Sequence, residues 1–151
     1  MEIRSGDELA SFLRKALDIE ASFESISQWE DYINLKKDEF RDVVFELISE
    51  SEKHKSIVES LISKTKKGSR SETAPLQPHV FNFKNKTEFE IMMDLSRYEK
   101  LAYDIYLNIR EALKASDMSK LVEEGDAPLF FSTLDRLIME EADHVARIAS
   151  Y

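Results

Sequence analysis

The chain has 151 residues, one domain's worth of polypeptide, and 42% of them are apolar, enough to bury a substantial core. Only three glycines and three prolines are present, too few for a turn-rich sheet fold, and a charged fraction of 34% points to helices with solvated outer faces. The net charge of −9 argues against nucleic acid or an anionic membrane surface as partner, and the absence of cysteine excludes disulfides, iron–sulfur clusters and thiolate metal sites.

The opening "MEIRSGDELASFL" lacks the basic stretch and long apolar run of a signal peptide. No segment approaches the roughly 20 apolar residues of a membrane helix, so a soluble cytoplasmic protein is expected. Four segments have the periodicity of amphipathic helices. The first starts at "SGDE", where Ser5 and Glu8 have the spacing of a capping box, and runs to about Asn34. The short joint "NLKK" makes the second helix its antiparallel neighbour, with Asp38 as cap and an end near Lys64.

Residues 65–86 are rich in Ser, Lys and Pro and suit a crossover long enough to run the length of a bundle. Within it the apolar "VFNF" is expected to pack against a helix, and His79 falls in the loop. Thr87 and Glu90 repeat the capping pattern at the head of a third helix reaching about Ala115. "SDMSKLVEEG" makes a longer excursion with room for a helical turn of its own, and Asp126 and Pro128 open the fourth helix. The expected fold is an all-α antiparallel four-helix bundle in a single domain, 1–151. A hairpin over 5–64 and a hairpin over 87–151 are joined by the crossover.

An internal repeat supports this division. At an offset of 90 residues Phe40 falls on Phe130, Leu47 on Leu137, Glu50 on Glu140, His54 on His144 and Val58 on Ile148. At an offset of 79, Glu20 falls on Glu99 and Ile26 on Ile105. The seam of each helix, read in steps of three and four, carries a polar interruption near its middle. Leu13, Ala16, Glu20, Phe23 and Ser27 form the first seam, and Phe40, Val44, Leu47, Ser51, His54, Val58 and Leu61 the second. Leu95, Glu99, Ala102, Tyr106, Ile109 and Leu113 form the third. The fourth has Phe130, Leu134, Leu137, Glu141, His144, Ile148 and Tyr151.

In an antiparallel bundle these midpoints meet at one level. Three buried carboxylates would repel one another and pay for lost hydration, and no Lys or Arg occupies the seams. Carboxylates with neutral imidazoles form a nitrogen and oxygen ligand set suited to iron, manganese or zinc. The step from Glu141 to His144 puts both side chains on one helix face, able to grip one ion. The alternative for each residue alone is a place at the edge of its stripe with the head in solvent.

This pattern resembles the ferritin-like superfamily, and within it the rubrerythrin-like di-iron carboxylate proteins. "EKLAYDIY" is similar to the family's third helix, with Glu99 as terminal carboxylate, Ala102 as a small packing residue and Tyr106 beside the site. "EEADH" matches its Glu-x-x-His motif, Glu141 bridging and His144 terminal, and "LDIEASFES" is similar to the first helix with Glu20 as the other terminal carboxylate. The first hairpin departs from the pattern. Ser51 stands where a second bridging Glu belongs, three residues before His54, and Phe23 and Ser27 replace the counterparts of Ala102 and Tyr106. Glu24 and Glu50 are candidate substitute ligands.

The resemblance implies two irons, one held by Glu20 and His54, the other by Glu99 and His144, with Glu141 between them. It also implies reduction of dioxygen or peroxide, or oxidation of ferrous iron. Full rubrerythrins relay electrons through a cysteine-ligated iron, so this cysteine-free chain would need a separate electron-donor protein. With three carboxylates instead of four, three states are open: a modified dinuclear site, a single ion on Glu99, Glu141 and His144, or an empty inherited scaffold. The competing function is a metal-poor or metal-free bundle that binds a partner, with "FNF", Tyr103 and Trp29 contributing to its face. The long crossover also permits hairpin exchange, and a homodimer, domain-swapped or not, is expected.

Overall fold

The computed structural model describes residues 2–25, 38–68 and 78–149, with residues 38 and 39 described through their backbone only. Four helices account for most of them: α1 (Gly6–Glu24), α2 (Asp38–Ser63), α3 (Glu88–Lys114) and α4 (Ala127–Ala149). A single 3-10 turn, Met118–Lys120, lies in the joint between α3 and α4. No strand forms among the described residues; one isolated bridge joins Thr65 to Val122. The continuation of the first helix to Asn34, the seam positions Ser27 and Tyr151, Trp29, and the capping side chain of Asp38 lie outside what is described.

The helix starts follow from local chemistry. Ser5 is extended and its hydroxyl accepts from the Glu8 amide at 3.1 Å, but the Glu8 carboxylate accepts from Arg4 N, not from Ser5. Only half of the expected box is made there. At α3 it is complete: Thr87 Oγ1 accepts from Glu90 N at 3.1 Å and Glu90 Oε1 accepts from Thr87 N at 3.2 Å. Asp126 precedes α4 and Pro128 sits in its first turn, where a missing N–H costs nothing.

Contacts between the ends fix the directions. Gly68 N donates to Asp7 at the start of α1, so α2 returns antiparallel to it. Ile3 N donates to Ser116 Oγ just past α3, and Lys66 N donates to Leu121 O just before α4. Thus α1 runs antiparallel to α3, and α2 to α4. Past residue 78 the chain lies at the far end of α1, where His79 N donates to Ser22 Oγ at 2.9 Å and Phe81 N to Ser25 Oγ at 3.2 Å.

Phe81 and Phe83 are buried, with Phe81 packed on Phe23 and Tyr98, while Val80 is 68% exposed. The "FNF" aromatics therefore belong to the core and present no face to a partner. Tyr103 is half-buried beneath the ammonium of Lys100.

Every described seam residue is buried, polar ones included. The packing is closest within each hairpin, intermediate between α1 and α3, and sparsest between α2 and α4. Ion pairs across the surface, Arg110 with Asp135 and Arg147 with Glu46, link neighbouring helices but contribute little each.

Gly6 marks the tightest backbone approach. A Cβ there would lie 1.9 Å from the Lys66 carbonyl oxygen, so α1 can begin against the end of α2 only without a side chain. Gly6→Ala is expected to cost about 1–3 kcal/mol through this overpacking. Urea unfolding of the two proteins under identical metal conditions checks it, and equal midpoints would mean that the ends are not in contact.

Candidate metal centre

Each helix delivers its polar residue to one level because each interrupts an otherwise apolar seam. Glu20 comes from α1, His54 from α2, Glu99 from α3, and Glu141 and His144 from α4; all are at most 3% exposed. The structure thus brings together all five ligand candidates taken from the sequence. They form two overlapping groups, Glu20–His54–Glu141 and Glu99–Glu141–His144, each with its donor atoms mutually within 4.8 Å. Glu141 belongs to both.

His54 is the most constrained member. Its Nδ1 lies 2.7 Å from Glu141 Oε1 and 3.4 Å from Glu20 Oε1, and its Nε2 lies 2.6 Å from Glu140 Oε2. His144 Nδ1 is 3.4 Å from Glu99 Oε2 and 3.6 Å from Glu141 Oε2. The two imidazoles stack with ring centres 5.7 Å apart. The Tyr106 hydroxyl donates to Glu20 Oε1 at 2.9 Å, so this tyrosine of α3 serves the carboxylate of the opposite hairpin.

Ser51 is buried on the α2 seam, and no carboxylate fills its place. Glu24 is turned to Lys55 at 3.1 Å and takes part in neither group. Glu50 lies on the outer side, within 4.8 Å of His54 and Glu140 donor atoms and 3.7 Å from Lys53. Neither substitute ligand reaches the level of Glu141 here. Glu140, which the seam pattern passes over, is the residue that orients His54; Arg136 holds its other oxygen at 3.1 Å. Its only sequence signal is the pairing of Glu50 with Glu140 in the repeat.

Desolvation and mutual charge set the protonation. Burial lifts Glu20 to about 7, against the pull of the His54 hydrogen bond, and burial with the neighbouring Glu141 lifts Glu99 well above the usual carboxylate range. Burial also acts against ionised Glu141, but hydrogen bonds from Glu99, His144, His54 and Glu20 outweigh it and hold this carboxylate below its ordinary value. Burial opposes charged imidazoles too, yet contacts with Glu141 and Glu20 raise His54 to about 11, and Glu141 with Glu99 raise His144 to about 10. Tyr106 is pushed up by burial and by Glu20, so it stays a neutral donor.

In the metal-free protein, protons therefore balance the cluster, with Glu141 the dominant anion between two imidazoliums. That balance is incomplete as hydrogen bonding. Glu20 Oε2, Glu99 Oε1 and Glu141 Oε2 are buried without a partner at hydrogen-bond distance. Oxygens of this kind beside imidazole nitrogens are what a divalent cation uses.

No family model matches the chain, and neither a curated protein nor a solved structure is significantly similar to it. Fold and cluster define the class by themselves: a helical bundle whose buried Glu and His groups are placed so that they could hold a metal. Among the described residues, no helix is long and apolar enough to cross a membrane.

The pH dependence of the metal-free protein follows with definite sign. His54 and His144, raised from 6.5, contribute stability that is whole below 6.5 and lost as the pH climbs through about 10 and about 11. Glu20, raised from 4.5 to about 7, adds a loss between those values, whereas depressed Glu141 contributes only above 4.5 and loses its share in acid. With chelator present, the melting temperature is expected to peak in mildly acidic solution and to fall steadily into the alkaline range. A melting temperature that rises from neutrality toward the alkaline end would exclude the protonated network.

Proposed function

We propose that the protein is a non-haem metal protein of the ferritin-like, rubrerythrin-like kind. Its buried cluster binds one or two divalent transition ions, iron foremost, with manganese or zinc as ions of compatible ligand preference. The observation that carries this reading is the set of three buried carboxylate oxygens without a hydrogen-bond partner, on the level where two imidazoles arrive from opposite hairpins. Glu20 and His54 would serve one ion, Glu99 and His144 the other, with Glu141 shared. Bound iron would supply the electrons for reducing dioxygen or peroxide, or would itself be oxidised from the ferrous state.

The residues of the chain have definite tasks in this reading. Glu140 fixes the ring of His54 with Nδ1 directed inward, and Tyr106 holds Glu20 by one oxygen, leaving Oε2 available. The apolar seams above and below keep bulk water from the cluster. With no cysteine for an iron relay, re-reduction would come from a separate donor protein.

A second reading has its own observation. The hydrogen bonds of His54 to Glu141 and Glu140, at 2.7 and 2.6 Å, satisfy that imidazole fully, so a proton network can hold the level together in a metal-free scaffold. Metal analysis separates the two. Protein expressed with iron and washed with a weak chelator is expected to retain between one and two irons per chain, with a near-ultraviolet absorption that reductant bleaches when two are present. Metal-free protein that also fails to take up Fe²⁺, Mn²⁺ or Zn²⁺ at equilibrium would establish the scaffold reading instead.

Ser51→Glu supplies the carboxylate that the first hairpin lacks. Without metal, a further buried charge at this level is expected to cost several (about 3–5) kcal/mol. With iron, the same variant is expected to bind the second ion more tightly than the wild type and to recover its melting temperature. Destabilisation that metal does not repair would show that position 51 does not face the ions.

A further inference from the structure

The two candidate ion sites share Glu141 but are built differently. Glu99, Glu141 and His144 all belong to the α3–α4 hairpin, and their facing atoms stand apart: His144 Nδ1 is 3.4 Å from Glu99 Oε2 and 3.6 Å from Glu141 Oε2. Bonds of about 2.0–2.2 Å to a tetrahedral or octahedral ion place neighbouring ligand atoms about 2.8–3.6 Å apart. One hairpin therefore holds three ligand atoms within 4.8 Å of one another before any ion arrives, with the imidazole at ligand spacing from both carboxylates. Glu141 Oε2, the oxygen facing His144, has no hydrogen-bond partner, and neither has Glu99 Oε1.

The other site draws on three helices, through Glu20, His54 and Glu141; Glu20 Oε2 is unpartnered and Glu20 Oε1 lies 3.4 Å from His54 Nδ1, but the imidazole itself is already engaged. His54 Nδ1 is closed onto Glu141 Oε1 at 2.7 Å, inside ligand spacing. Its Nε2 is anchored on Glu140, which Arg136 holds in turn. Glu20 Oε1 accepts from Tyr106. Before His54 can offer Nδ1 to a cation, the contact with Glu141 has to open, and a buried hydrogen bond has to be given up without water to replace it.

We propose that the cluster fills in a fixed order. Glu99, Glu141 and His144 take the first divalent cation, and His54 is a latch on Glu141 that admits a second only when it opens. The second ion binds on the order of tenfold or more weakly, because it must displace that hydrogen bond while the first displaces none of comparable shortness. The singly occupied protein is then a stable form in its own right, with His54 still closed on the Oε1 edge of Glu141. This inference rests on the metal-binding reading above and adds to it the sequence and inequality of the two sites.

The test uses the full chain, uniformly labelled with ¹⁵N, and Zn²⁺ as a diamagnetic probe of the same ligand chemistry. The three histidines, His54, His79 and His144, give three imidazole spin systems in long-range ¹H–¹⁵N spectra. The first equivalent of Zn²⁺ is expected to move the His144 nitrogens and leave those of His54 in place. Further Zn²⁺ then moves His54, with a dissociation constant at least about tenfold larger. Movement of His54 first, or of both rings in proportion from the first addition, overturns the ordered filling while leaving metal binding intact. No imidazole response at any Zn²⁺ concentration overturns the ordered filling together with the metal-binding reading.

Discussion

Glu20, Glu99 and Glu141 occupy one water-poor level of the bundle, and their charge has to be answered from within. Coulomb repulsion and lost hydration both oppose three ionised carboxylates there, and the seams bring no lysine or arginine to offset them. Among the described residues, two imidazoles are the basic groups buried at that depth. The remainder of the structure can be understood as serving this arrangement: apolar turns above and below exclude water, Tyr106 and Glu140 orient single atoms, and the crossover closes over the end of α1. A helix register error of one residue in any of the four would send its polar head out of the level and break the balance.

The charge can be met by protons or by metal, and the two compete for the same atoms. The imidazoles hold protons strongly when the cluster is metal-free, so a cation has to displace them, and metal affinity is tied to pH. Position 51 on the buried α2 seam is a serine, so the seams bring three carboxylates to this level. A level with one anion fewer would tolerate fewer cations, in keeping with an α3–α4 side whose His144 stands 3.4 Å from Glu99 and an α2 imidazole, His54, closed on Glu141 of α4. The near-repeat of the two hairpins thus does not extend to their chemistry. Glu140 holds His54, whereas its counterpart Glu50 lies on that same outer side, near His54 and Lys53.

Much of this was legible from the residues alone because a buried seam has a strict period. Steps of three and four placed every described seam residue in the core, and the same steps put five polar groups at one depth. Thr87 and Glu90 announced the start of α3 through a capping pattern whose geometry is local. What the pattern did not convey was direction off the seam. Glu24 has the right helical position to assist Glu20, yet Lys55 on the adjacent helix captures it, a contact that depends on interhelical packing. Glu140 lies on the shoulder of α4 and has the sequence signature of a surface residue, but the sparse packing of α2 against α4 lets it reach His54. The apolar residues of "VFNF" do not share one fate, because alternation along an extended segment buries Phe81 and Phe83 and leaves Val80 exposed.

The most direct test is crystallographic. Crystals of the full chain equilibrated with Mn²⁺ or Zn²⁺, measured on either side of the metal's absorption edge, should show an anomalous peak in the bundle interior. It should lie about 2.0–2.2 Å from oxygens of Glu99 and Glu141 and from Nδ1 of His144. Anomalous density confined to surface carboxylates, with the interior level of the bundle empty at saturating metal, would contradict the central claim that these buried acids are gathered to hold a cation.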